Sequence, residues 1–118
     1  MAITSFEQLN VWKLAHELTL DVYNRTRVFP NEEKYGLTSQ MRRSAVSVPA
    51  NIAEGFKKRG SKDKARFYNI AQGSLEELRY YFILCRDLGY LKINNEQLEI
   101  FETIGKMLNN LQKTILKT

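Results

Sequence analysis

Apolar residues recur at steps of three and four in four segments of this 118-residue chain, and this spacing restricts the fold more than any other feature. In the first segment Val11, Ala15, Leu18 and Val22 follow one another at steps of four, three and four. Residues with that spacing lie on one face of an α-helix, which can be buried against neighbouring helices. Only six Gly and two Pro leave little material for a fold with many turns. The sequence therefore predicts an all-α protein.

Turn-forming residues mark the limits of four predicted helices. These helices cover about residues 6–28, 33–57, 62–88 and 95–116. Pro30 should end the first helix, Gly89 should end the third, and Asn94 or Asn95 should cap the fourth. The short connections between the helices favour an up-down-up-down antiparallel four-helix bundle, which forms one domain over residues 1–118.

Two residues inside the predicted helices are unusual. Pro49 lies within the second helix, where it predicts a kink or a restart capped by Ser47. Gly73 lies within the third helix, where glycine costs about 1 kcal/mol relative to alanine. A glycine kept at that cost suggests tight packing, either within the bundle or between subunits.

The overall composition indicates a small globular protein of the cytoplasm. A hydrophobic content of 43% with 26% charged residues is typical of a folded chain. The one cysteine, Cys85, lies in an apolar run and is expected to be a reduced core residue. The first residues lack a secretion signal, and no run approaches the ~18 apolar residues of a membrane span. We expect neither export nor insertion into a membrane.

No arrangement of residues predicts catalysis, a metal site or a bound cofactor. Di-iron bundles use a Glu-x-x-His motif on each of two helices, whereas this chain has one histidine, His16, and no such motif. The chain also lacks a glycine-rich phosphate loop and a Cys-x-x-Cys pair. We therefore expect a binding protein rather than an enzyme.

Four polar residues lie among small and apolar neighbours of the second and third helices: Asn51, Glu54, Ser74 and Glu77. The two carboxylates could form a metal or acid-base pair, or each could pair with a polar group of a neighbouring helix and fix its register. The structural interpretation is favoured. The candidate partners for the carboxylates are Arg42, Arg43, His16, Ser44 and Asn51.

A dense basic stretch joins the second and third predicted helices. Residues 57–66 contain six basic side chains and one acidic side chain. The six are Lys57, Lys58, Arg59, Lys62, Lys64 and Arg66. Flexible cations at a helix junction can contact phosphates without reading bases, although the same stretch could also be a solvated turn. A homo-oligomer would repeat the stretch, so that several modest contacts would add through effective concentration.

Two further sets of residues have open roles. Arg42 and Arg43 are adjacent on the second helix. They could form a second phosphate contact or an ion pair to a neighbouring helix. The tyrosines and Trp12 exceed the needs of one small core, so some are expected to anchor an interface. Stacking on bases is an alternative, but their spacing does not resemble a stacking platform.

Several segments of the chain resemble one protein family. They are Phe6…Leu9…Val11-Trp12, Phe29-Pro30, Glu33-Lys34-Tyr35-Gly36-Leu37, Gln40-Met41-Arg42-Arg43, the segment from Ser47 to Gly55, and Ala71…Gly73-Ser74-Leu75-Glu76-Glu77. Together they resemble the four-helix-bundle proteins encoded in intervening sequences of bacterial 23S ribosomal RNA genes. The resemblance implies a ring-shaped homopentamer. A related protein, the accessory variability determinant of diversity-generating retroelements, implies binding to nucleic acid and to a reverse transcriptase.

Two functions are consistent with these observations. The first is a non-enzymatic bundle that binds RNA or DNA through phosphates, with low sequence specificity and strong salt dependence. The second is a protein-interaction scaffold for a polymerase or for the product of a neighbouring gene, in which the positive charge is incidental. A reverse-transcriptase gene nearby would favour the second function, and placement inside a ribosomal RNA gene would favour the first.

Overall fold

Four α-helices make up most of the computed structural model, which describes residues 2–117. They are α1 (Asn10–Thr26), α2 (Leu37–Lys57), α3 (Ser61–Leu88) and α4 (Asn95–Leu116). Short 3-10 turns at Phe6–Gln8 and Asn31–Glu33 precede α1 and α2. No β-strand occurs in this part of the chain. The prediction of an all-α protein with four helices is confirmed.

Contacts between side chains show that consecutive helices run antiparallel. Thr19 of α1 is hydrogen-bonded to Ala45 of α2, and Thr26 of α1 is hydrogen-bonded to Arg42 of α2. Residue numbers therefore rise along α1 in the direction in which they fall along α2. The same reversal relates Ser44 to Glu77 and Gly55 to Tyr68 across α2 and α3, and Phe82 to Phe101 and Gln72 to Gln112 across α3 and α4. Because α1 also contacts α4, the four helices form an elongated antiparallel bundle of 46 × 27 × 23 Å.

The buried faces of the four helices meet in one apolar core. Its most deeply buried large side chains include Met41, Ile52, Tyr68, Phe82 and Leu108. Burying a side chain of this size stabilises a fold by about 1.5–3 kcal/mol relative to leaving it in water. Cys85 is fully buried, and its thiol lies 3.4 Å from the Met41 sulfur, as expected for a core residue. Burial raises the pKa of this thiol to about 11.

The first two helices begin later than the sequence predicts. Leu9 has an extended backbone, with φ −73° and ψ 125°, so the turn that Ser5 caps ends there and α1 begins at Asn10. Gly36, with φ −111° and ψ −111°, likewise separates the turn at Asn31–Glu33 from α2. The predicted starts at residues 6 and 33 therefore mark 3-10 turns.

The limits of α3 and α4 agree closely with the predicted ones. Gly89 ends α3 in the left-handed conformation, with φ 82°, which glycine adopts without steric cost. Asn94 caps α4: its side chain accepts a hydrogen bond from the Gln97 amide, and the Gln97 side chain accepts one from the Asn94 amide. The other end of α3 has no side-chain cap, because the residue that precedes Ser61 is a glycine.

Pro49 lies inside α2, which runs unbroken from Leu37 to Lys57. The predicted restart at Ser47 is therefore wrong. Proline has no amide hydrogen, so the carbonyl oxygen of Ala45, four residues earlier, lacks its usual helical partner. The Thr19 hydroxyl of α1 lies 3.0 Å from this oxygen and 2.9 Å from the Ala15 oxygen, and shares its proton between them. A neighbouring helix thus satisfies the carbonyl that the proline leaves unpaired.

Two glycines of α2 and α3 have opposite surroundings. A Cβ atom at Gly55 would lie 2.7 Å from Tyr68 Cε1 and 3.0 Å from Phe67 Cβ, so glycine permits α2 and α3 to meet closely there. A Cβ atom at Gly73 would have nothing within 4 Å. The predicted tight packing of Gly73 within the bundle is therefore wrong, because that position faces outward.

None of the helices in the described residues is both long enough and apolar enough to cross a membrane.

Candidate nucleic-acid interface

The basic stretch forms the tight connection between α2 and α3 at one end of the bundle. The side chains of Lys57, Arg59 and Lys62 are exposed. Among residues 2–117, no carboxylate lies within ion-pair distance of these three. They are therefore available to an anionic ligand.

Lys64 has a structural role. Its ammonium donates hydrogen bonds to the carbonyl oxygens of Gly55 and Phe56, in the last turn of α2, and lies 5.4 Å from the Phe56 ring centroid. Carbonyl groups at a helix end lack intrahelical partners and carry partial negative charge, so a cation there is stabilising. Two of its three donors are used inside the bundle, so Lys64 is less available to a phosphate than Lys57, Arg59 and Lys62, and its assignment as a phosphate contact stays a prediction.

Lys58 and Arg66 pack against the same aromatic ring. The Lys58 ammonium lies 4.9 Å and the Arg66 guanidinium 4.8 Å from the centroid of Phe67. Arg66 also forms an exposed ion pair with Asp63 at 3.7 Å, a type of pair that contributes little to stability. Both charges remain at the surface, but their side chains are less free than those of Lys57, Arg59 and Lys62.

Arg42 is held at the end of α1. Its Nε donates to Thr26 Oγ1 at 2.9 Å, and its Nη2 donates to the Tyr23 carbonyl oxygen at 3.4 Å. The guanidinium carbon lies 4.7 Å from the centroid of the Tyr23 ring. The ion-pair alternative is wrong for Arg42, which makes no ion pair within residues 2–117, whereas the phosphate contact stays a prediction because only two of its donors bind the last turn of α1. Arg43, by contrast, is exposed and makes no ion pair within residues 2–117.

An open groove of about 690 Å³ lies between α1, α2 and the turn that connects them. Its lining includes three cations, two tyrosines and the polar side chain of Asn51; the cations and tyrosines are Lys34, Arg42, Arg43, Tyr23 and Tyr35. Sequence reasoning missed this groove, because its parts come from three separate elements. The adjacency of Lys34 and Tyr35, directly before α2, was the one local signal.

A polar seam lies between α2 and α3. The Ser44 hydroxyl donates to Glu77, and the hydroxyls of Ser47 and Ser74 are 2.7 Å apart. Asn51 Nδ2 donates to the carbonyl oxygen of Ser47 at 2.7 Å and to its hydroxyl at 2.9 Å. The Glu77 partner is therefore one of those considered from the sequence. The tyrosine on the next turn of α3, Tyr81, has a raised pKa because of burial and the Glu77 charge.

Glu54 differs from the other three polar residues. Its side chain is exposed, and no hydrogen bond or ion pair joins it to the rest of residues 2–117. The expectation of a paired carboxylate at this position is corrected, because residue 54 lies on the outer face of α2. Its negative charge stands on the same helix as Arg43 and Lys57.

No cluster of three or more His, Cys, Asp or Glu side chains in the described residues is placed to hold a metal ion. His16 is exposed and stacks on Trp12, with ring centroids 4.8 Å apart and planes at 9°. His16 therefore packs on an aromatic ring and is not a partner of Glu54 or Glu77 among residues 2–117.

These features define a small antiparallel four-helix-bundle protein with cations concentrated at both ends of its second helix. The model of the 23S rRNA-intervening sequence protein family matches residues 7–110. The chain belongs to this family, as its sequence motifs indicate.

A crystal structure with a similar fold is that of a protein of unknown function from the S23 ribosomal protein family of Bacteroides thetaiotaomicron. It is 26% identical to this chain and superposes with a TM-score of 0.68, over 92% of this chain and 99% of that one. No curated protein matches the chain.

Proposed function

We propose that this protein binds RNA or DNA through phosphate groups, without catalysis, as a homo-oligomer in the cytoplasm. The observation that carries the proposal is the set of adjacent, exposed cations at the α2–α3 connection, Lys57, Arg59 and Lys62, which have no acidic partner among residues 2–117. A cation that is already paired must lose its partner before it can neutralise a phosphate. Unpaired cations bind phosphates and release the counterions that surround them.

Low sequence specificity follows from the same geometry. The three side chains are long, flexible and held on a short connection, so they can follow a phosphate backbone but cannot present a rigid pattern of donors to base edges. The proposed contact is therefore sensitive to salt and tolerant of sequence.

We include a ring of five subunits in the proposal, since the family resemblance implies it. Exposed apolar side chains on α3 support self-association: Ile70, Tyr80 and Leu88 lie on one side of the helix, together with Gly73. Repetition of the basic connection around a ring would add weak contacts through effective concentration. Sedimentation equilibrium gives the oligomeric mass directly, and a monomer at all concentrations would contradict this part.

The test of phosphate binding is a salt series with labelled structured RNA and duplex DNA. The triple variant Lys57→Ala, Arg59→Ala, Lys62→Ala should bind more weakly. The slope of log K against log salt should fall by up to about 0.9 for each lost duplex contact in one subunit. A circular dichroism melt should show that the bundle remains folded, because none of the three side chains makes a hydrogen bond, an ion pair or a cation–π contact within residues 2–117.

A matched control removes the same charge elsewhere. The variant Lys92→Ala, Lys106→Ala, Lys113→Ala takes three exposed cations from α4 and the loop before it, and should leave most of the affinity in place. Equal losses in the two variants would mean that only net charge matters. Absence of binding at low salt would refute the proposed function.

A protein-interaction scaffold is the second candidate, and the exposed apolar residues of α3 favour it. Large apolar side chains in water are a common mark of protein interfaces. If the protein is monomeric, this surface remains available to a polymerase or to the product of a neighbouring gene. Co-expression with that product, followed by size-exclusion chromatography, distinguishes a stable complex from two separate peaks.

A further inference from the structure

Tyr35 is the most exposed aromatic residue in the groove between α1 and α2. Its side chain is 88% exposed, on the turn directly before α2, and the Lys34 ammonium lies 5.5 Å from its ring centroid. The ring contributes almost nothing to the core of the bundle. An aromatic face in water beside a cation offers a flat surface to another ring and a charge to a nearby phosphate.

A second flat surface lies across the groove. The guanidinium of Arg42 covers one face of Tyr23 at 4.7 Å, and its hydrogen bonds to Thr26 and to the Tyr23 carbonyl hold it in position. A guanidinium plane stacks on bases as an aromatic ring does. Because Arg42 is fixed before any ligand arrives, little side-chain entropy would be lost on binding.

Polar groups complete the groove. Arg43 is exposed and makes no ion pair in the described residues, so it can contact a phosphate. Asn51 uses its Nδ2 for Ser47, which orients its Oδ1 and leaves that oxygen as an acceptor. Ser39 adds a hydroxyl. Flat surfaces, a cation and orienting polar groups are the elements of a nucleotide site.

We infer that this groove receives unpaired bases of a single-stranded nucleic acid. One base stacks on Tyr35, and the Arg42–Tyr23 pair provides a second stacking surface. Arg43 and Lys34 contact the adjoining phosphates. This inference rests on the proposed function and adds a second, chemically different contact to it. In a duplex the bases are stacked on one another and their faces are covered. The groove therefore favours single strands or loops.

The groove and the basic connection lie along one face of α2. Arg43 and Lys57 are fourteen residues apart, so about 21 Å of helix separates them, and they differ by only about 40° around its axis. A strand that enters the groove can continue along α2 to Lys57 on the same subunit.

The test compares a labelled single-stranded oligoadenylate with an abasic oligomer of the same length, which has the same phosphates and no bases. Wild-type protein should bind the oligoadenylate more tightly. Tyr35→Ala should lower that affinity about fivefold or more, whereas Tyr35→Phe should keep it, because stacking needs the ring alone. Neither variant should change affinity for the abasic oligomer.

Val28→Ala is the control, since Val28 is 85% exposed but lies outside both the groove and the apolar face of α3. It should leave affinity for both oligomers unchanged. If wild-type protein binds the two oligomers equally and Tyr35→Ala changes neither affinity, the stacking site is refuted while phosphate binding stands. If wild-type protein binds neither oligomer at low salt, the proposed function fails, and the stacking site fails with it.

Discussion

The two ends of α2 both carry concentrated positive charge, but they present it in different chemical settings. At the start of α2, the exposed cations border a groove with two tyrosines. At its end, Phe56 and Phe67 are half-buried with cations near their rings, whereas Tyr35 is 88% exposed, so the α2–α3 connection mainly presents charge. We therefore propose that the groove end holds bases and that the other end holds phosphates.

The same arrangement of cations occurs at both ends of α2. At each end, one cation donates to carbonyl oxygens in the last turn of a helix: Arg42 to α1 and Lys64 to α2. The neighbouring cations Arg43 and Lys62 remain exposed. A count of basic residues in the sequence cannot separate the cations that stabilise the fold from those that remain exposed.

The largest effect is expected from loss of the close approach at the basic end. Gly55→Ala should lower the free energy of unfolding by about 1–3 kcal/mol, because the new Cβ would overlap the Tyr68 ring. Gly73→Ala is the control: it should raise the stability of the subunit by up to about 1 kcal/mol, since nothing lies nearby. Urea denaturation measures both, and equal effects at the two sites would contradict the packing described.

Lys64 and Lys62 should separate stability from binding. Lys64→Met keeps the stem that packs on Phe56 but removes the donor to α2, and should cost about 1 kcal/mol of stability. Lys62→Met should cost almost none, yet weaken nucleic-acid binding. Thermal melts and fluorescence anisotropy on the same two variants test this opposite pattern; the reverse pattern would show that the roles are exchanged.

At the groove end, the corresponding change is Arg42→Lys. Lysine keeps the charge but cannot supply both donors and a flat surface, so we expect a loss of under about 1 kcal/mol in stability. Arg43→Lys should change stability within about 0.5 kcal/mol, as is usual for surface substitutions. Chemical denaturation of both variants decides whether Arg42 is the fixed member of the pair.

Glu54 tests whether the two ends act on one ligand. It lies eleven residues after Arg43, just over three full turns, and so on the same side of α2 as Arg43 and Lys57. If a strand follows that side, Glu54→Gln should raise its affinity about twofold at low salt, corresponding to about 0.5 kcal/mol. Glu96→Gln, in α4, is the control with the same change of charge. Unchanged affinity for long strands would indicate that the two ends bind separately.

The smallest effect concerns the hydrogen bond from the Tyr90 hydroxyl to Glu33 Oε2, which lies near the groove end of α2. This bond and the Glu33 charge raise the pKa of Tyr90 above its ordinary value of 10.0. A raised pKa means that the stabilisation is complete below pH 10 and is lost as pH rises through the raised value. The stability advantage of wild type over Tyr90→Phe should therefore vanish above pH 10 in urea titrations; a constant difference would contradict it.

Much of the fold follows from the sequence alone, because local signals and the apolar spacing agree. Gly89 and Asn94 are end signals whose physical effect lies within a few residues, and both act as predicted. Gly73 was misread because glycine in a helix shows only that something unusual occurs, and cannot show which way the position faces.

The candidate site was less predictable for a related reason. The exposed cations and the bonded cations of residues 57–66 are the same residue types, lysine and arginine. Their roles differ because of where each side chain lies relative to the end of α2. Lys64 is engaged because it reaches the Gly55 and Phe56 oxygens across a helix junction. The groove joins Tyr23 and Tyr35 from different elements, so no spacing in the sequence could reveal it.

The missing amide hydrogen of Pro49 has a consequence for the alignment of the groove. The Thr19 hydroxyl compensates for it at Ala45, and a slip of α1 by one residue, about 1.5 Å, would separate donor from acceptor. Tyr23 follows Thr19 by one turn on α1, and Arg42 precedes Ala45 by about one turn on α2. The hydrogen bond that compensates for the buried proline therefore fixes the register of α1 against α2, and with it the relative positions of Tyr23 and Arg42 in the groove.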